Sequence, residues 1–176
     1  MFKTQLEHKL NINYKDFESV GKYISRWFNS YSRLPEIIEL HSKADTAIWL
    51  KILGDNWSAC DNISQYLLHL KKLMPRRTAH EMMEPDEYQQ FEQLPNLVTI
   101  YRGCSRENID GACYSLNIET AKSFVRLNRY QVEHPILVTA TVYKHEVIAL
   151  KNDREEHEII TFDANIIHIE PLTINR

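Results

Sequence analysis

Glycine is scarce in this sequence. Four residues in 176 are too few and too scattered for a phosphate-cradling loop, so neither a P-loop nor the GxGxxG dinucleotide fingerprint is present. Cysteine is as sparse, and Cys60, Cys104 and Cys113 lack the CxxC spacing or histidine pairing of a zinc site. No metal is expected, and an odd number of cysteines in this context reads as reduced thiols. No window approaches eighteen apolar residues, which excludes a membrane-spanning helix. The opening Met1-Phe2-Lys3-Thr4-Gln5-Leu6-Glu7-His8 has no continuous apolar stretch of the secretion-signal kind, so a soluble cytoplasmic protein is expected. Positive charge is not in excess either. The formal net charge is −3, with Lys and Arg spread along the chain, so the basic stripe that binds a phosphate backbone is missing and nucleic acid is not an expected partner. The small cluster Lys71, Lys72, Arg76 and Arg77 reads as a solvated helix end.

What is present is an ordinary globular composition, 43% apolar and 26% charged, in a chain of one domain's length. Helical and strand patterns are segregated, which predicts an α+β domain with a helical portion over residues 1–94 and a β core over residues 95–176. Phe17, Val20, Tyr23, Ile24, Trp27, Phe28 and Tyr31 recur at helical spacing from Asp16, and Leu34-Pro35 breaks the run. A second periodic run continues from Ile37 to Gly54, a plausible C-terminal stop. A third begins near Ser58 and ends at Pro75, and a short fourth helix opens at Pro85 and reaches Phe91. Strands are predicted at Leu97–Tyr101, Ile136–Tyr143, Val147–Leu150 and Glu158–Phe162, with a closing edge strand around Ile166–Ile169 before Pro171. Between the first two lies a helix capped by Asn117 that reaches about Leu127.

Three places could carry chemistry. Asp153-Arg154-Glu155-Glu156-His157-Glu158 leads into Ile159-Ile160-Thr161-Phe162, and in an extended chain Glu156 and Glu158 share a face roughly 7 Å apart while Glu155 and His157 face away. Two carboxylates in one space suit a reaction that makes a cation, and the same pattern also occurs as a solvated turn. Arg102 ends the first strand in Tyr101-Arg102-Gly103, where a guanidinium fork can hold phosphate or carboxylate, or form a surface ion pair. Gly103 lets another group approach closely. Ser115, in Cys113-Tyr114-Ser115-Leu116, stands before the capped helix with a hydroxyl suited to a ligand or to the backbone. Tyr101, Tyr114 and Phe124 offer flat surfaces for a planar ring, or plain core.

The order of Tyr-Arg-Gly at 101–103, the Cys-Tyr-Ser-Leu segment at 113–116 and Glu-His-Glu-Ile-Ile at 156–160 resembles the R-S-E pattern of mono-ADP-ribosyltransferases. The resemblance covers Val98 to Thr161 and is to compact bacterial and phage members that join a helical portion to this core, a group that includes an anti-CRISPR enzyme. The stretch Trp49 to Asn62 also looks like that group. It implies a split, mostly antiparallel sheet, NAD as co-substrate and a target protein as partner. Arg102 would then bind the NAD pyrophosphate and brace the site, and Ser115 would help position NAD, with Tyr101, Gly103, Tyr114 and Phe124 around it. Glu158 would be the catalytic glutamate and Glu156 would orient or deprotonate the acceptor. Cys113 departs from the pattern, placing a weakly donating thiol where the family has a hydroxyl. The same half-reaction with water as acceptor would make an NAD glycohydrolase, and a scaffold without turnover would be a binding or inhibitor protein.

Overall fold

The structure is a computed structural model that describes residues 11–125, 134–153 and 156–173. Contacts divide the chain into two compact units, Met1–Met74 and Pro75–Arg176. Residues 75–94, grouped on sequence with the helical portion, thus belong with the sheet.

The first unit is helical. Helix α1 (Phe17–Trp27) starts where Asp16 Oδ2 accepts from the Ser19 N–H at 3.0 Å, and it buries Val20, Tyr23 and Ile24. It stops at Trp27 rather than Tyr31. Asn29 Oδ1 accepts from the N–H groups of Tyr31 and Ser32, giving that backbone a local alternative to the helix. Pro35 does not break a helix but lies in the first turn of α2 (Arg33–Leu40), where a missing N–H costs nothing. The run expected to be continuous from Ile37 to Gly54 is interrupted, because Asp45 is extended and α3 (Thr46–Asn56) starts afresh after it. Gly54 is not the stop. It is buried within α3, and the helix runs past it to Asn56, whose Nδ2 donates back to the Ile52 carbonyl at 2.8 Å. The Trp49 indole N–H donates to the Ile37 carbonyl at 2.8 Å, satisfying its polar edge inside the core. Two single 3-10 turns, Trp57–Ala59 and Ile63–Tyr66, precede α4 (Leu67–Leu73), and Met74 is extended before Pro75 as expected.

In the second unit a 3-10 turn, His80–Met82, precedes α5 (Pro85–Glu92), with Pro85 occupying the first helical position. Six strands follow: β1 (Leu97–Cys104), β2 (Cys113–Ser115), β3 (Ile136–Tyr143), β4 (Ala149–Lys151), β5 (Glu158–Ile160) and β6 (Asn165–Pro171). Helix α6 (Ile118–Phe124) lies between β2 and β3 in the chain, and its expected continuation to Leu127 falls outside the described residues. The strands form one sheet in the order β4-β5-β2-β1-β3-β6, and every pairing is antiparallel. The architecture is therefore α+β with helices in the N-terminal half. The sheet is not split into two, yet its middle joint is narrow. β1 and β3 are in register from Leu97↔Tyr143 to Cys104↔Ile136, whereas β1 and β2 share only Tyr101↔Ser115. Continued pairing with β3 carries β1 through Cys104, so Arg102 lies in the body of the strand and not at its end. β6 is the expected edge strand, and Pro171 is tolerated there because an edge needs no further donor. No helix among the described residues is long and apolar enough to cross a membrane.

Candidate active site

In an antiparallel ladder, residues directly opposite each other project from the same face. Five successive registers, Lys151↔Glu158, Glu158↔Ser115, Ser115↔Tyr101, Tyr101↔Thr139 and Thr139↔His168, therefore draw one row of side chains across the whole sheet. Glu158, Tyr101 and Thr139 are half-buried, His168 is exposed, and Ser115 and Lys151 are each only 2% exposed. The structure thus sets Ser115 beside Glu158 and Tyr101 one strand further along.

Ser115 is fixed on both sides. Its Oγ donates to the Glu156 carbonyl at 2.8 Å and accepts from the Asn117 N–H at 3.0 Å, while the Leu116 N–H donates to the His157 carbonyl at 3.0 Å. One hydroxyl thereby ties β2 to the segment before β5 and to the start of α6. The Asn117 side chain caps that helix as expected, accepting from Glu119 N at 2.8 Å and Thr120 N at 3.2 Å. The helix is seated by Gly103. A Cβ there would lie 2.1 Å from the Ala121 carbonyl oxygen and 3.2 Å from Val125 Cγ1, so the group that approaches Gly103 is the α6 backbone. Gly103 shares the face of Tyr101, which brings α6, with half-buried Phe124 on it, to the side of the sheet that carries the row.

Arg102 and Tyr114 belong to the other face. Alternation along β1 and β2 turns them away from Tyr101 and Ser115, contrary to the expectation that all would surround one site. Tyr114 is buried, and the Arg102 guanidinium stands 6.0 Å from its ring. Arg102 Nη1 donates to the Cys113 carbonyl at 2.6 Å, and Nε and Nη2 both donate to the Asn108 carbonyl at 3.3 Å. Gly111 makes room for this, since a Cβ at that position would meet Arg102 Nη2 at 2.1 Å. Burial pushes the Tyr114 phenol and the Cys104 thiol up, with the Arg102 charge opposing both shifts. Cys113, a reduced and half-buried thiol, projects from the face of Ser115.

The alternation argument for Glu156 and Glu158 holds only from Glu158 onward. The strand begins at Glu158, and His157 has φ 44°, a left-handed conformation that an extended run does not contain. Glu156 precedes this kink, and the atom it contributes to the row is its backbone carbonyl. Glu155 lies outside the described residues.

One residue of the row and its partner on α5 have no signal in the sequence that marks them as a pair. Lys151 extends β4 one residue past the Leu150 end that the sequence predicts, and Glu87 reads as an ordinary first-turn acidic residue of α5. They form an ion pair of 2.7 Å with side chains 3% and 5% exposed. Glu87 did carry a local signal, an acidic residue three positions into a proline-led helix, and its Oε2 accepts from the Glu84 N–H at 2.8 Å. Nothing in the sequence links it to a lysine on a distant strand. Among the described residues, no three His, Cys, Asp or Glu side chains are grouped to hold a metal ion. No family model, no curated protein and no solved structure matches the chain.

Proposed function

We propose that this chain is an NAD-dependent mono-ADP-ribosyltransferase, releasing nicotinamide from NAD and passing ADP-ribose to a side chain of a target protein. The observation that carries this reading is the cross-strand register of Ser115 with Glu158, with Tyr101 on the same face. NAD supplies the N-glycosidic bond that breaks. Nicotinamide leaves with the bonding electrons, and the ribosyl carbon takes on oxocarbenium character. A carboxylate held at that carbon stabilises the cation as it forms, as in glycoside hydrolysis. Glu158 has that role here, since its strand position is fixed by pairing on both sides. The acceptor atom then bonds to the ribosyl carbon and gives up its proton to solvent, since the kink at His157 breaks the alternation that would set the Glu156 carboxylate beside Glu158. Tyr101 and Phe124 are the half-buried aromatic surfaces suited to a planar ring. Ser115 keeps Glu158 and the start of α6 in fixed relation, the pre-organisation on which such electrostatic stabilisation depends.

Incubation of the protein with labelled NAD and cell lysate tests this, comparing wild type with Glu158→Gln. The expected result is labelled protein with wild type and a loss of about 100-fold or more in rate with the variant, the cost typical of removing one such electrostatic group. Equal labelling by both would refute the role of Glu158. Nicotinamide release without labelled protein would make water the acceptor.

One observation favours a second reading, a binding protein without turnover. The three guanidinium nitrogens of Arg102 donate to backbone carbonyls of the protein itself, as a structural brace would. That reading predicts no nicotinamide release by wild type and an unchanged biological effect of Glu158→Gln.

A further inference from the structure

Directly across the ladder from Glu158 stands a lysine to which the proposed reaction gives no part. Lys151 is 2% exposed, and its Nζ donates to Glu87 Oε2 at 2.7 Å and to the Met82 carbonyl at 3.2 Å. Glu87 is held in turn, accepting from the Asn152 N–H at 2.7 Å on Oε1 and from the Glu84 N–H at 2.8 Å on Oε2. Taking both charges out of water is expensive, and such a pair often adds nothing to stability over an apolar substitute. Its place in the fold suggests what it does add. Opposed side chains on neighbouring antiparallel strands have Cβ atoms about 5 Å apart, so the Lys151 stem starts beside that of Glu158.

We propose that Lys151 is a positioning residue for Glu158: its ammonium, clamped by Glu87 and the Met82 carbonyl, is a fixed positive charge that keeps the opposing carboxylate ionised and in place. This rests on the reading of Glu158 as the carboxylate that meets the ribosyl cation. A clamped charge suits that task better than a mobile surface lysine, because it loses no order when the cation develops. The other titratable groups on α5, on β2 and among the described residues before β5 are Asp86, Glu87, Tyr88 and Glu92 of α5 with Glu84 as its cap, Cys113 and Tyr114 of β2, and Asp153, Glu156 and His157. Among the described residues of these elements Lys151 is the one lysine or arginine, and Arg154 lies outside the described residues.

The test uses the full chain and two variants. The double change Glu87→Gln with Lys151→Met removes both charges and keeps an unbranched side chain at Lys151, one atom shorter, and Glu87→Gln alone leaves the ammonium without its clamp charge. In the double variant we expect kcat for nicotinamide release to fall about tenfold with KM for NAD nearly unchanged, and the acid limb of the rate profile to move to higher pH. The carboxyl-carbon NMR titration of Glu158 should move up by about half a unit or more in the double variant, and down in Glu87→Gln. Lys151→Arg, which keeps the charge, should retain the wild-type titration. A Glu158 titration that stays at the wild-type position in a folded double variant overturns the proposal. If the double variant does not fold, an unmoved titration in Glu87→Gln overturns it. The NMR readout needs no turnover, so a wild-type protein that leaves NAD intact would refute the transferase reading and still leave the Lys151 coupling to be judged separately.

Discussion

Gly103→Ala should be among the most damaging small changes in the sheet unit. The new methyl would sit 2.1 Å from the Ala121 carbonyl oxygen and 3.0 Å from its carbon, and both are helix backbone that no rotamer change can move. Helix α6 would have to withdraw from β1 by about 1 Å, a displacement of the kind that makes overpacking cost roughly 1–3 kcal/mol. Because the obstruction is backbone, the upper end applies. Replacing glycine also restricts the unfolded chain, which returns about 0.4–1 kcal/mol, since Gly103 does not have positive φ and alanine could adopt its conformation. The net loss is then roughly 2 kcal/mol, a fall of about thirtyfold in the folding equilibrium and about 1 M in the urea midpoint. A second consequence is local. Asn117 caps the displaced helix and donates its N–H to Ser115 Oγ at 3.0 Å, so under the proposed transferase function nicotinamide release should fall by more than the folded fraction does. Urea denaturation followed by fluorescence, with turnover measured on the folded fraction, provides both readings. A midpoint within about 0.2 M of wild type would refute the claim that α6 is seated on Gly103, since the expected change is several times larger.

Gly111→Ala places its methyl against the far end of a flexible side chain, 2.1 Å from Arg102 Nη2, so Arg102 should swing aside. The expected cost is about 1–2 kcal/mol from lost hydrogen bonds to the Cys113 and Asn108 carbonyls, measured by denaturation; no change would show that these bonds do not brace the fold. Cysteine alkylation tests the helical unit. Burial pushes the Cys60 thiol up to about 11, with the Arg33 charge opposing and Asp61 adding to the shift. At about pH 8 roughly one Cys60 in a thousand is thiolate, so iodoacetamide should modify half-buried Cys113 first, and equally fast modification of Cys60 on peptide mapping would refute its burial.

Local signals in the sequence translated well. The Asn117 cap, the extended Met74 before Pro75 and the proline-led start of α5 each depend on atoms within a few residues, so composition at those positions is enough. Signals that compete with tertiary packing did not. Gly54 has the composition of a helix stop, but its lack of a side chain lets it lie buried in α3, and packing decided. The candidate site is an order of residues in the sequence and not a geometry. That Ser115 and Glu158 oppose each other follows from the register of two strands far apart in the chain, which no local pattern specifies. The same register determines what went wrong. With β1 assumed to end at Arg102, its guanidinium could have reached either face; pairing through Cys104 commits it to the face of Tyr114. His157 hid a kink inside a run whose alternating charges look like a strand.

The narrow joint gives Arg102 a role that does not need a ligand. Where β1 meets β2 the ladder supplies one registered pair, Tyr101↔Ser115, so the halves β6-β3-β1 and β2-β5-β4 would hinge there if nothing else held them. Three fastenings meet at that point. From one face Arg102 of β1 reaches the carbonyl of Cys113 in β2 and that of Asn108 in the connecting loop, supplying charge-assisted bonds where ladder bonds are missing. On the other face α6 sits on Gly103 of β1 and begins at Ile118, with two residues between it and β2, bridging the same two strands. Between them Ser115 binds the Glu156 carbonyl and the Asn117 N–H. The angle at this joint sets the relation of Tyr101 to Glu158, the two members of the row on either side of Ser115. An arginine facing away from the row can therefore govern its geometry, and losing Arg102 would disturb Glu158 through the sheet itself.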